Sequence, residues 1–146
     1  MAYEIIFPER GNIVEVRLSG ALTFATFRDL HAELYFSGHW QTGMNLLAII
    51  EHGADPTGID AHALRTSFRE EVERLHEIRG PEFKVAWVAE DPSVEPLLLQ
   101  WQSMPFVIGS YDIEVFRDRE AGREWLEQFA ADWPEFFVDT RLSRRG

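Results

Sequence analysis

The chain has 146 residues, 45% of them hydrophobic and 27% charged, which is enough for one domain around one contiguous core. It has no cysteine, which excludes disulfides and thiolate-held zinc or iron–sulfur centres. The formal charge of −11 and pI near 4.8 create a field that repels phosphate backbones and anionic headgroups, so no nucleic-acid partner is expected. The opening Met1-Ala2-Tyr3-Glu4-Ile5-Ile6-Phe7 lacks the basic start and long apolar core of a signal peptide. No apolar run approaches the ~20 residues that span a bilayer, so neither secretion nor stable membrane insertion is expected and the expected location is the cytoplasm.

The first expected element is a strand over residues 3–7, closed by the turn residues Pro8, Gly11 and Asn12. Val14, Val16 and Leu18 alternate with Glu15 and Arg17, the period of a half-buried strand and the second arm of a hairpin. Thr23 is an N-cap type ahead of Phe24, Phe27, Leu30, His31 and Leu34, which are spaced as one helix face, and that helix ends before Gly38. The run Asn45-Leu46-Leu47-Ala48-Ile49-Ile50-Glu51 predicts a strand buried on both faces. After the loop over 53–59, Asp60 caps a helix with Leu64, Phe68, Val72 and Leu75 inward and with Glu70 and Arg74 in the favourable i,i+4 order. A second buried strand covers 84–89. Asp91-Pro92-Ser93 then starts a helix with Val94, Leu97, Leu98 and Trp101 inward and Pro96 in its first turn. The last strand covers 113–116, and Asp118 caps a final helix that turns Ala121, Trp125, Leu126 and Phe129 inward. Strands alternating with helices predict an α/β fold with a mixed, mostly parallel sheet, an N-terminal hairpin and covering helices.

This order, β-β-α-β-α-β-α-β-α, resembles the STAS domain superfamily, whose founding members are anti-sigma-factor antagonists. The likeness covers about residues 3–129. It rests on Leu18-Ser19-Gly20-Ala21-Leu22-Thr23 before the first helix and on the buried strand that leads by a loop into the second. It rests also on the last unit, from Met104-Pro105-Phe106 through Asp112-Ile113-Glu114-Val115-Phe116 to Glu120-Ala121-Gly122-Arg123-Glu124-Trp125-Leu126, which is most similar to the SpoIIAA-like branch grouped near the Sec14 lipid carriers. The resemblance implies a single STAS-like domain over 1–130 and a regulatory serine at the start of the second helix, where free N–H groups favour a phosphate. The matching turn here is Asp60-Ala61-His62-Ala63-Leu64, which has no serine, so the phosphoswitch is expected to be missing. Thr57 and Ser67 are nearby hydroxyls that do not reproduce the site.

Glu51, His52, Asp55, Asp60 and His62 gather where the middle strand should end, the edge at which open α/β sheets bind ligands. Their spacing matches no metal motif, and Asp60 is accounted for as a cap, so no catalytic residue, metal or cofactor is assigned. His31, His39 and His76 likewise receive no function. The chain has no Gly-x-Ser-x-Gly elbow, Walker loop or dinucleotide fingerprint, so no enzymatic activity is expected.

Aromatic residues make up 13% of the chain, and Trp40, Trp101, Phe106 and Tyr111 lie where they could pack in the core or line an apolar pocket. Two functional classes follow. One is a non-enzymatic regulatory or protein-interaction module acting around the second helix. The other is a carrier of a hydrophobic small molecule or lipid with transient membrane contact. Binding residues are expected among Asp55, Thr57, Asp60, His62, Trp101 and Phe106. The extension over 131–146 holds Trp133, Phe136 and Phe137, and is expected to fold back or to meet a second copy, with a homodimer preferred.

Overall fold

A strand that runs parallel to its predecessor needs a crossover, whereas an antiparallel one needs only a turn, and this chain uses the turn once. The computed structural model describes residues 2–59, 75, 77–80, 82–103 and 112–130. Strand β1 (Tyr3–Ile6) pairs antiparallel with β2 (Ile13–Leu18), Tyr3 opposite Leu18. Strands β3 (Asn45–Ile50), β4 (Lys84–Ala89) and β5 (Asp112–Phe116) then add in parallel, giving a five-stranded sheet in the order β1-β2-β3-β4-β5. The α/β class, the hairpin and the mostly parallel sheet follow the sequence pattern.

Side-chain parity divides the sheet into two faces. Val14, Val16 and Leu18 stand opposite Leu46, Ala48 and Ile50, which stand opposite Val85, Trp87 and Ala89, and all belong to the larger core. That face is covered by helix α1 (Phe24–Phe36), through Phe27, Leu30 and Leu34, and by helix α2 (Glu95–Gln102), through Leu98 and Trp101. Every parallel step goes the same way across the sheet, so right-handed crossovers put their helices on one side. Helix α3 (Arg119–Ala130) follows β5, with no further strand among the described residues for it to cross to. It covers the opposite face, where Leu126 packs with Ile13, Leu47, Ile49, Ala86 and Val88.

Local chemistry fixes the helix starts. Thr23 caps α1 as expected, accepting from the Thr26 N–H at 3.3 Å, and Thr26 Oγ1 in turn accepts from the Thr23 N–H at 3.1 Å. Asp91 caps a 3₁₀ turn at Pro92–Val94, which tightens the entry into α2, with Pro96 within the first two positions of that helix. Asp118 Oδ1 accepts from the Ala121 N–H at 2.9 Å at the start of α3. Between β3 and β4 the described residues 75 and 77–79 are helical. The remainder of the helix expected there, with its cap Asp60, lies outside the described residues.

One helix face differs from the expected one. Gly122, not Ala121, meets the sheet: Ala121 is half-exposed, and a Cβ at Gly122 would lie 3.0 Å from Val88 Cγ2 and 3.1 Å from Leu47 Cδ1. The missing side chain lets the helix backbone approach β3 and β4, a demand that an apolar-periodicity reading does not register. Trp125 and Phe129 are consequently half-buried on the flank of α3 rather than at its centre. Among the described residues, no helix is long and apolar enough to cross a membrane.

Candidate carboxyl-edge site

All four parallel strands end at one edge of the sheet, and the loops after β3 and β4 meet there. Both loops carry the same tripeptide type, Asp55-Pro56-Thr57 and Asp91-Pro92-Ser93. In each, proline fixes φ and the aspartate closes a turn onto the residue two places on. Asp55 Oδ1 accepts from the Thr57 N–H at 3.0 Å and from its hydroxyl at 2.7 Å. Asp91 Oδ1 accepts from the Ser93 N–H at 3.0 Å and from its hydroxyl at 2.8 Å.

The two turns are tied to each other and to the sheet. Asp91 Oδ2 accepts from the Gly53 N–H at 2.9 Å, with Gly53 at φ +86°, a left-handed conformation that suits glycine. Asp55 donates its N–H to the Gly20 carbonyl and accepts from the Leu22 N–H, both at 2.8 Å, forming a bridge with Ala21 beyond the end of β2. The Asp55 turn is thus exposed yet held on both sides. Hydrogen bonds from Thr57 hold the Asp55 carboxyl below its ordinary range. Those from Ser93 and then Gly53 do the same for Asp91, with a smaller contribution from nearby His52.

An ion-pair cluster continues the edge toward α3. Arg119 donates Nε to Glu90 Oε2 at 2.7 Å and Nη2 to Glu90 Oε1 at 3.0 Å, and its Nη2 lies 3.6 Å from Glu51 Oε2. This two-pronged contact lowers the Glu90 pKa, against the opposing effect of partial burial, and raises that of Arg119. Arg117 grips Glu95 of α2 in the same manner, at 3.0 and 3.2 Å. The described residues contain no group of three or more histidine and carboxylate side chains placed to hold a metal ion.

Of the residues expected from sequence, Asp55 and Thr57 come together in one turn. Asp60, His62 and Phe106 lie outside the described residues, as does Tyr111. Trp101 is in the core, 1% exposed, edge-on to Phe27 at 5.5 Å and to Trp87 at 5.1 Å. Trp40 is half-buried and donates Nε1 to the Ile78 carbonyl at 3.2 Å, with its ring 4.8 Å from that of Tyr35 and 5.8 Å from that of Phe83. Glu90 and Arg119 were not named from the sequence, and Asp91 was read there only as the start of a helix. The repeated Asp-Pro-Thr/Ser tripeptide was a readable sign of Asp91, whereas nothing in linear spacing joins Glu90 to Arg119.

The fold and this edge define an α/β protein with a mixed five-stranded sheet and a hydrogen-bonded polar rim at its carboxyl end. No family model, curated protein or solved structure matches the chain.

Proposed function

We propose that the chain is a non-enzymatic, STAS-like protein-interaction module that lacks the phosphorylatable serine and engages its partner through the carboxyl edge of the sheet. The observation that carries this reading is the Asp55–Thr57 turn, exposed to solvent but anchored to Gly20, Leu22 and, through Gly53, to Asp91. A polar surface already fixed in one geometry loses little freedom when a partner docks, which suits recognition of a folded protein. The order of elements, with a hairpin followed by sequential parallel strands, supports the STAS-like part of the reading. The packing of Trp101 against Phe27 and Trp87 favours this reading over the carrier of a hydrophobic ligand, because it gives that indole a role in the core.

The test places a photo-crosslinking side chain at exposed His52 of the full chain and, as a control, at exposed Phe36 near the end of α1. In extract of the native cell, the expected result is an adduct of one defined mass from position 52 and none of that mass from 36. Asp55→Ala, which frees the turn, should abolish that adduct while leaving the far-ultraviolet circular dichroism unchanged. Equal adducts from both positions, or none from 52, would overturn the assignment. Co-purification of a lipid in native mass spectrometry would favour the carrier.

A further inference from the structure

One flank of α3 carries an aromatic row, packed at its Phe116 and Trp125 end against the core beneath the helix, that the sheet leaves half-covered. Phe116 at the end of β5, Trp125 and Phe129 follow one another at ring separations of 5.9 and 5.5 Å, and all three are half-buried. Lys84 Nζ lies 4.5 Å from the Phe129 ring centre and 3.3 Å from Asp112 Oδ2, marking the inner end of the row. Partial exposure of three adjacent rings leaves apolar surface in water, which a further apolar segment would remove.

We propose that the chain's own C-terminal segment covers this row, with Trp133, Phe136 and Phe137 as its apolar contacts. Residues 131–146 lie outside the described residues; the row, the attachment point and the sequence of the segment point to it as the occupant. The attachment is close: Ala130, where α3 ends, is the next residue after Phe129. Six residues, 133–138, span about 20 Å when extended, enough to run the length of the row. Trp133 repeats the four-residue spacing of Trp125 and Phe129, and Pro134 immediately after it opposes continuation of a helix.

Charge selects this occupant over a second copy of the same surface. Asp112 and Glu114 on β5 and Glu124 on α3 are exposed around the row, and a two-fold contact would set like charges against one another. The segment carries Asp132, Glu135 and Asp139 against Arg141, Arg144 and Arg145, so it is neutral and the net −11 belongs to the remainder of the chain. Its three arginines all follow the aromatic residues, where they can face the acidic rim.

Fluorotryptophan NMR on the full chain tests the proposal, since there are only five tryptophans and each can be assigned by a Trp→Phe variant. With a soluble paramagnet, the expected result is protection of both Trp125 and Trp133 and a cross-relaxation contact between Trp133 and the row. The full-length variant Trp133→Ser/Phe136→Ser/Phe137→Ser should raise the broadening of Trp125 several-fold while leaving Trp87 and Trp101 unmoved. A Trp133 signal at the free-indole position, or a Trp125 signal indifferent to the triple variant, would overturn the proposal. Protection that falls on dilution, with a contact between differently labelled chains and a doubled mass by light scattering, would overturn the intramolecular form in favour of a dimer.

Discussion

Gly122 is the point at which α3 comes nearest the sheet, and its value lies in what it lacks. Replacing glycine by alanine in a helix gains up to about 1 kcal/mol of propensity, whereas forcing a methyl into a tight contact costs about 1–3 kcal/mol. Val88 and Leu47, the residues at 3.0 and 3.1 Å, are themselves buried and closely packed, so the second effect should win. Gly122→Ala should lower the urea midpoint, and Val88→Ala in the same chain should cancel much of the loss in a double-mutant cycle. Strict additivity of the two changes would show that the contact does not limit the approach. Trp101 illustrates the opposite case, a side chain valued for its bulk. Trp101→Ala should cost about 3–5 kcal/mol by thermal or urea unfolding, because it removes the shared neighbour of Phe27 and Trp87. A loss under about 1 kcal/mol would be the size of a surface change and would contradict a core role.

At the scale of elements, α3 is held by Gly122 and Leu126 against the sheet and by arginines at its edges. Arg123 reaches Glu15 on β2 at 2.6 Å, and Arg119 reaches Glu90 just beyond β4. The hydrogen bonds from Arg119 put the folded-state pKa of Glu90 below the ordinary glutamate value of 4.5. Its contribution to stability is therefore complete above that value and is lost as pH falls through the lower, folded one. Unfolding free energy should decline on acidification below about pH 5, and Glu90→Gln should flatten part of that decline. An unchanged slope would mean that the pair forms without stabilising the docked helix. The strands were legible because β2 alternates and β3 is apolar throughout, patterns that depend on each residue and its immediate neighbours. The Thr23 and Asp118 caps were legible for the same reason. The inward face of α3 was not, because Gly122 contributes by close approach and periodicity counts only apolar side chains. The carboxyl-edge site was half-legible: Asp55 and Thr57 stood in a polar loop after a buried strand, while Arg119 lies 29 residues from the glutamate it holds.

For the whole molecule, 25 acidic against 14 basic side chains leave a surplus that internal pairing cannot neutralise. The compact state concentrates that charge more than the unfolded one does, so self-repulsion opposes folding at neutral pH. Raising ionic strength toward 0.15 M, where the screening length is about 8 Å, should raise the melting temperature. A fall instead would mean that exposed pairs such as Arg117 with Glu95 outweigh the repulsion.

The sheet lays its five strands side by side in the order in which they are made. No strand must later be threaded between two that have already paired, so each parallel pairing closes only the single crossover between consecutive strands. During synthesis, each new strand finds its neighbour already outside the ribosome. The open edge moves forward with the growing chain until β5 joins the sheet and the helix after it covers the second face.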